Sequence, residues 1–264
     1  MPEFFQSGAV RIAYERQGRG PTVLLLHGAE ASRQMFAALS ERLATQMSVL
    51  AYDQRDCGDT QGPPQACSLA ELADDAAALI RGLGHSRVHV FGSSFGGRVA
   101  QALAARHSPL IDKLVLASTW PLPHSLQTLN PEGAARIEAL RQGLPATAED
   151  LAGLFFPEAF LQQRPELRRV FAQVQPASER TVRRKQAVDS TLDIDWSLLR
   201  MPVLLLTGAL DQVVPPSLTL RLAQHLAHAQ QLELAGVGHA TALQAPDLLA
   251  QHLLDFFSAT QASP

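Results

Sequence analysis

Ser94 stands in Gly92-Ser93-Ser94-Phe95-Gly96, between the apolar run Val88–Phe91 and the alanine-rich stretch Arg98–Ala105. A serine hydroxyl becomes a useful nucleophile only when a base takes its proton. The base in turn needs an acid to fix its tautomer and stabilise its cation. The glycines at 92 and 96 have a steric purpose. A turn tight enough to lift the hydroxyl off a strand end leaves no room for side chains there, and it holds the serine in strained backbone geometry. The same turn aims the first N–H groups of the next helix at whatever the serine attacks. Ser93 does not fit this pattern, because positions 91 and 95 are phenylalanine. Serine flanked by glycines in this way, between strand and helix, is the pattern of a nucleophile elbow.

Nine histidines could serve as the base. His239, in Gly236-Val237-Gly238-His239-Ala240, follows the last apolar strand pattern, where two glycines allow a loop to swing over the sheet edge. His89 falls inside the strand before Ser94 and reads as a core residue. His85, His107, His225, His228 and His252 fall on helices or at their ends. His124, at the start of a proline-rich stretch, is the candidate substrate contact. For the acid, Asp211 follows the penultimate strand in Gly208-Ala209-Leu210-Asp211, and the strand before the proline-rich stretch ends in Ala117-Ser118-Thr119-Trp120, which offers none. Asp189, Asp193 and Asp195 read as helix-terminal or solvated carboxylates, with Asp193 and Asp195 the rivals to Asp211.

The elements that must position these groups alternate. Val10–Glu15 reads as an antiparallel edge strand entering a hairpin at 17–21. Thr22–Leu26 is a continuous apolar run suited to burial on both faces. A helix follows over 32–44, then a strand at Val49–Tyr52. Ser68 with Glu71 caps a helix over 69–83. Further strands are expected at 113–117, 202–208 and 231–234, with helices at 217–226 and 246–257, the last turning Leu248, Leu249, Leu253, Phe256 and Phe257 to the sheet. Such alternation implies an α/β fold, a mostly parallel central sheet with helices on both faces and its chemistry at the carboxyl ends of the strands. From Trp120 to Leu199 the alternation stops, and seven prolines, from Pro121 to Pro176, break a helical composition. This predicts a core of 1–120 and 200–264 with a helical cap at 121–199. The cap carries Arg164, Arg168, Arg169, Arg180, Arg183, Arg184 and Lys185, read as a solvated helix face.

The remaining composition narrows the partners. Net charge is −3, which gives no electrostatic reason for nucleic acid or an anionic membrane. No apolar run reaches the ~20 residues of a membrane span, and Met-Pro-Glu-Phe-Phe-Gln lacks the marks of a signal peptide. Two cysteines, Cys57 and Cys67, fit free thiols in a reducing cytoplasm, and no Cys/His cluster has metal-ligand spacing.

The order Ser94, Asp211, His239 resembles that of the α/β-hydrolase superfamily, and the resemblance covers nearly the whole chain, the cap being its least specific part. It implies an oxyanion hole built from the backbone N–H groups of Phe95 and Ala29, with His27 organising the loop after the first buried strand. Asp53-Gln54-Arg55-Asp56-Cys57-Gly58-Asp59-Thr60 is similar to the family's D-x-R-G-x-G-x-S turn, with Asp56 in place of the usual glycine. The wording of that loop also resembles prolyl iminopeptidases, whose elbow usually reads Gly-Gly-Ser-Trp-Gly. The expectation is a serine hydrolase acting on an ester or lactone of a small, partly apolar molecule, with neither metal nor organic cofactor. Carbon–carbon bond hydrolysis and cofactor-free haloperoxidase-like chemistry use the same triad. A peptidase and a non-catalytic ligand-binding member of the fold are the further alternatives.

Overall fold

The computed structural model describes residues 1–172, 178–226 and 229–259. Eight strands form one sheet: β1 (Glu3–Ser7), β2 (Val10–Gln17), β3 (Thr22–Leu26), β4 (Ser48–Tyr52), β5 (Val88–Ser93), β6 (Ile111–Ala117), β7 (Val203–Gly208) and β8 (Gln230–Leu234), in the order β1-β2-β4-β3-β5-β6-β7-β8. From β4 to β8 all neighbours are parallel, and β1 and β2 add an antiparallel end. The helices are α1 (Ala37–Leu43), α2 (Leu69–Gly82), α3 (Phe95–Arg106), α4 (Leu126–Leu129), α5 (Pro131–Gln142), α6 (Ala148–Phe155), α7 (Glu158–Gln163), α8 (Glu166–Phe171), α9 (Glu179–Asp189), α10 (Pro216–Leu220), α11 (Thr241–Gln244) and α12 (Pro246–Ser258).

Alternate strand residues divide between two cores, as the period of a strand requires. Leu24, Leu26, Val90, Leu114, Leu116, Val203 and Leu205 pack with α2 and α3. Val23, Leu25, Phe91, Val115, Leu204 and Leu206 pack with α1 and α12. The cap of α2 is the expected reciprocal one: Ser68 Oγ accepts from Glu71 N at 3.2 Å, and Glu71 Oε2 accepts from Ser68 N at 2.9 Å.

Three local expectations are corrected. The hairpin joins β1 to β2 through Gly8, at φ +55°, and β4 lies between β2 and β3, so the turn at 17–21 closes no hairpin. β1 is mostly exposed, which is why no apolar run marks it. Leu248 faces solvent, and Ala250 takes its place on the buried stripe with Leu249, Leu253, Phe256 and Phe257. The helix expected over 217–226 is α10 followed by a 3-10 turn, Arg221–Gln224. Among the described residues no helix is long and apolar enough to cross a membrane.

Helices α4 to α9 all lie between β6 and β7. They have apolar contacts of their own: Trp120, Ile137, Leu151 and Leu154 cluster with Val213, Val214 and Leu218. The two ends of this insertion meet. Leu192 N–H donates to Leu122 O at 3.4 Å, and Arg98, fully buried on α3, donates to carbonyls at both ends. Its Nη1 reaches Val188 O and Ser190 O, both at 2.9 Å, and its Nη2 reaches Leu122 O and His124 O at 2.7 and 3.2 Å. Pro176 and His228 lie outside the described residues.

Candidate active site

Ser94 follows β5 and precedes α3 with φ +55° and ψ −122°, a conformation L-residues rarely adopt. The backbone around it is held firmly: Ser94 N donates to Ala117 O at 2.9 Å, and Ser94 O accepts from Thr119 Oγ1 at 2.8 Å and from Gly97 N at 2.9 Å. Both flanking glycines are sterically required. A Cβ at Gly92 would come within 2.5 Å of Gly96 O, and one at Gly96 would overlap the carbonyl of Leu26. The tight elbow thus seats α3 directly on the end of β3. The order β4-β3-β5 places it where successive connections diverge, the position at which open α/β sheets carry their sites.

His239 and Asp211 are brought together. His239 Nδ1 lies 3.0 and 2.9 Å from Asp211 Oδ1 and Oδ2, and both residues are buried. A carboxylate only accepts, so Nδ1 carries the proton and Nε2 is left as the basic nitrogen. Asp211 Oδ1 also accepts from the N–H groups of Val213 and Val214, at 2.9 and 2.8 Å, which fixes the carboxylate before the imidazole meets it. The insertion contributes here: Phe155 O accepts from His239 N at 2.9 Å, and the Phe155 ring meets the imidazole edge-on at 5.4 Å. Among the described residues the ring's hydrogen bonds go to Asp211, and none joins it to Ser94 Oγ. Contacts between nucleophile and base commonly tighten only in the Michaelis complex.

The rival acids lie elsewhere. Asp189 and Asp193 are exposed, and Asp195 caps a 3-10 turn by accepting from Ser197 N at 2.9 Å. His124 is exposed, and the structure grips it through its carbonyl rather than its ring. His89 is buried and stacks on Phe257 at 4.6 Å. Both cysteines are buried free thiols, and burial raises the Cys57 thiol above its ordinary range, away from nucleophilic use. Among the described residues no three of His, Cys, Asp and Glu converge as metal ligands would.

Phe95 opens α3, so its N–H is one of the orphan donors of a helix start. Ala29 lies in the loop after β3. The peptide before it is fixed by His27, whose Nδ1 donates to Gly28 O at 2.7 Å while its Nε2 accepts from Gln54 N at 3.1 Å. Both ring nitrogens are therefore used in the neutral form. Burial, with the nearby Arg184 charge adding, lowers His27 to about 3.

The loop 53–60 turns through Asp56, whose φ of +62° is the left-handed conformation that glycine normally supplies. Aspartate tolerates it better than most residues, and its carboxylate accepts from Arg183 of α9, at 2.6 and 3.0 Å. The solvated-face reading of the basic cluster fails here. Arg183 is ion-paired, Arg180 donates to Gly58 O and Thr60 O at 3.2 Å, and Arg184 is buried against the Gly28–Ala29 loop. The sequence places Arg184 in that solvated cluster, whereas it is buried. The available signal was its position three and four residues before Ala187 and Val188, on the face of α9 that packs inward.

A family model described as the α/β hydrolase fold matches residues 21–246. A protein of Agrobacterium fabrum named as the carbamate hydrolase RutD is 30% identical over 256 residues, covering 92% of this chain and 97% of that one. Its namesake in Pantoea ananatis is 28% identical over 262 residues, covering 96% and 94%. The crystal structure of the enol-lactonase of Burkholderia xenovorans LB400 superposes with a TM-score of 0.81 at 22% identity, over 97% of this chain and 100% of that one.

Proposed function

The chain belongs to the α/β-hydrolase fold family and is an enzyme of that type, and on that premise we propose that it hydrolyses an ester or lactone of a small, partly apolar molecule through an acyl-enzyme on Ser94. The observation that carries this reading is the buried Asp211–His239 pair at the same sheet edge as the strained Ser94. His239 Nε2 takes the proton of Ser94 Oγ as the oxygen attacks the carbonyl carbon. The carbonyl oxygen becomes an oxyanion facing the N–H groups of Phe95 and Ala29, each of which can be worth about 3 kcal/mol in the transition state. His239 then gives its proton to the leaving alkoxide. Water, deprotonated by the same nitrogen, attacks the acyl carbon and frees the acid and Ser94.

The helical insertion acts as the cap that shapes the acyl and alcohol pockets, supported by the packing of Phe155 on His239. Carbamates join the substrate panel because the relatives bear that name, and a carbamate carbonyl yields to the same attack. Small-molecule work in the cytoplasm fits the charge and cysteine usage.

The test is stoichiometric labelling by a fluorophosphonate, with the adduct mapped by peptide sequencing. It should fall on Ser94 and vanish in Ser94→Ala without loss of thermal stability. Turnover is then measured on p-nitrophenyl esters of increasing chain length, a lactone panel, an alkyl carbamate and a vinylogous diketone. Absence of labelling at Ser94 defeats the reading. Turnover of the diketone alone would move the enzyme to carbon–carbon bond hydrolysis.

A further inference from the structure

Two of the buried arginines, Arg98 and Arg184, have no carboxylate partner among the described residues, and they solve the cost of burial differently. Arg98 ties down the ends of the insertion. Arg184, contributed by α9, meets the two segments expected to form the oxyanion hole. Its Nε donates to Ala29 O at 2.9 Å and its Nη2 approaches Gly28 O at 3.5 Å and Gln54 Oε1 at 3.4 Å. Its guanidinium carbon lies 4.4 Å from the centre of the Phe95 ring. Nη1 is buried with no protein partner.

The geometry of a peptide gives these contacts a consequence. In a trans peptide the C=O of one residue and the N–H of the next point in opposite directions. Arg184 adds to the hold of His27 on Gly28 O from behind, which aims Ala29 N–H forward. Holding Ala29 O fixes the following peptide as well, so the loop cannot rotate. The ring contact steadies the first residue of α3, whose N–H is the second donor. We propose that Arg184 is a positioning residue that locks both donors of the oxyanion hole, so that the insertion supplies part of the hole's rigidity. This rests on the serine-hydrolase reading above. Its charge adds to the effect. An unpaired buried cation at the carbonyl end of the Gly28–Ala29 peptide favours negative charge on the reacting carbonyl, and fixed dipoles and charges count most where water is excluded. A neighbouring carboxylate, as Arg183 has in Asp56, would cancel that field.

The experiment compares an oxygen ester with its thiono ester, in which C=S replaces C=O. Sulfur accepts hydrogen bonds poorly, so the rate ratio between the two reports how well the hole engages oxygen. Arg184→Met should lower kcat on the oxygen ester by about tenfold to a hundredfold, the scale of a donor displaced by a fraction of an ångström. KM should change less than threefold, and the oxygen-to-sulfur ratio should shrink by about tenfold. Arg180→Ala, on the same helix but away from the hole, should leave the ratio unchanged. Arg184→Lys keeps the charge but not the fork, and should restore only part of the ratio.

A wild type that turns over neither ester overturns the serine-hydrolase reading and this inference with it. An active wild type whose ratio survives Arg184→Met overturns this inference alone. If Arg184→Met does not fold, Arg184→Lys decides, and an unchanged ratio there overturns it. A rise in KM confined to acidic esters, with the ratio intact, would make Arg184 a substrate anchor and also overturn it.

Discussion

Asp211 and His27 hold a histidine or a loop in one form, and each leaves a different trace when altered. Asp211→Asn preserves the side-chain shape but offers an amide where the imidazole needs an acceptor, favouring the wrong tautomer. Turnover should fall by about three to four orders of magnitude while KM moves little, as measured on one activated ester. Asp193→Asn and Asp195→Asn, both at exposed positions, should stay close to wild type, and a collapse in either would reassign the acid. His27 gives a pH signature. Its folded form is lowered to about 3, against an ordinary value of 6.5. Between those limits the unfolded chain binds the extra proton, so the contribution is whole above pH ~6.5 and fades as acid is added, by about 1.4 kcal/mol per pH unit. His27→Gln keeps a donor and an acceptor but cannot titrate, so its urea midpoint should fall less steeply than that of wild type from pH 7 to 4.5. Parallel slopes would show that His27 is not held neutral. Residues of this kind are legible in a sequence when glycines and strand ends mark them, as with Ser94 and His239. Arg184 is not, because its partners are carbonyls 155 and 156 positions away, and backbone acceptors leave no pattern.

The element that decides the insertion's stability is α3, through one side chain. Arg98 makes hydrogen bonds to four carbonyls and leaves its Nε without a partner, and burial lowers it to about 10. Arg98→Met removes the charge and orphans the carbonyls together, so the chain should lose about 3–5 kcal/mol in urea unfolding. Arg98→Lys, with three donors on one atom, should recover only part of that. A loss below 1 kcal/mol would mean that water can replace the guanidinium. Elements buried on both faces were readable, because β3 and β7 carry the unbroken apolar runs Val23–Leu26 and Val203–Leu206, and the apolar part of β5, Val88–Phe91, is interrupted by His89 alone. β1 was not, since an exposed end strand held by backbone bonds carries no such run. The breakdown of alternation after Trp120 was visible too, but the fastening of α9 to the loop 53–60 depends on pairs such as Arg183 with Asp56 that only the fold creates.

Across the whole molecule the two layers should differ in how readily they open. α5 buries Ile137 alone and α8 buries nothing fully, whereas β5 is buried throughout. Native-state hydrogen exchange should therefore find α5 and α8 opening at lower free energy than β5, with α9 between them because Arg180, Arg183 and Arg184 tie it to the core. Uniform protection would show that the insertion and the sheet unfold as one unit. The meeting of its ends, where Leu192 N–H reaches Leu122 O beside Arg98, bears on how such enzymes diverge. The length between the two attachment points costs the core little by itself, since doubling a closed loop costs about 0.6 kcal/mol; what the core also feels are the ties of α9 and Phe155. On the proposed reading, exchanging a whole insertion at that junction should change substrate range in a single step. If Arg184 positions the oxyanion hole as proposed, a donor segment without an arginine at its place would cover Ser94 and yet leave it slow.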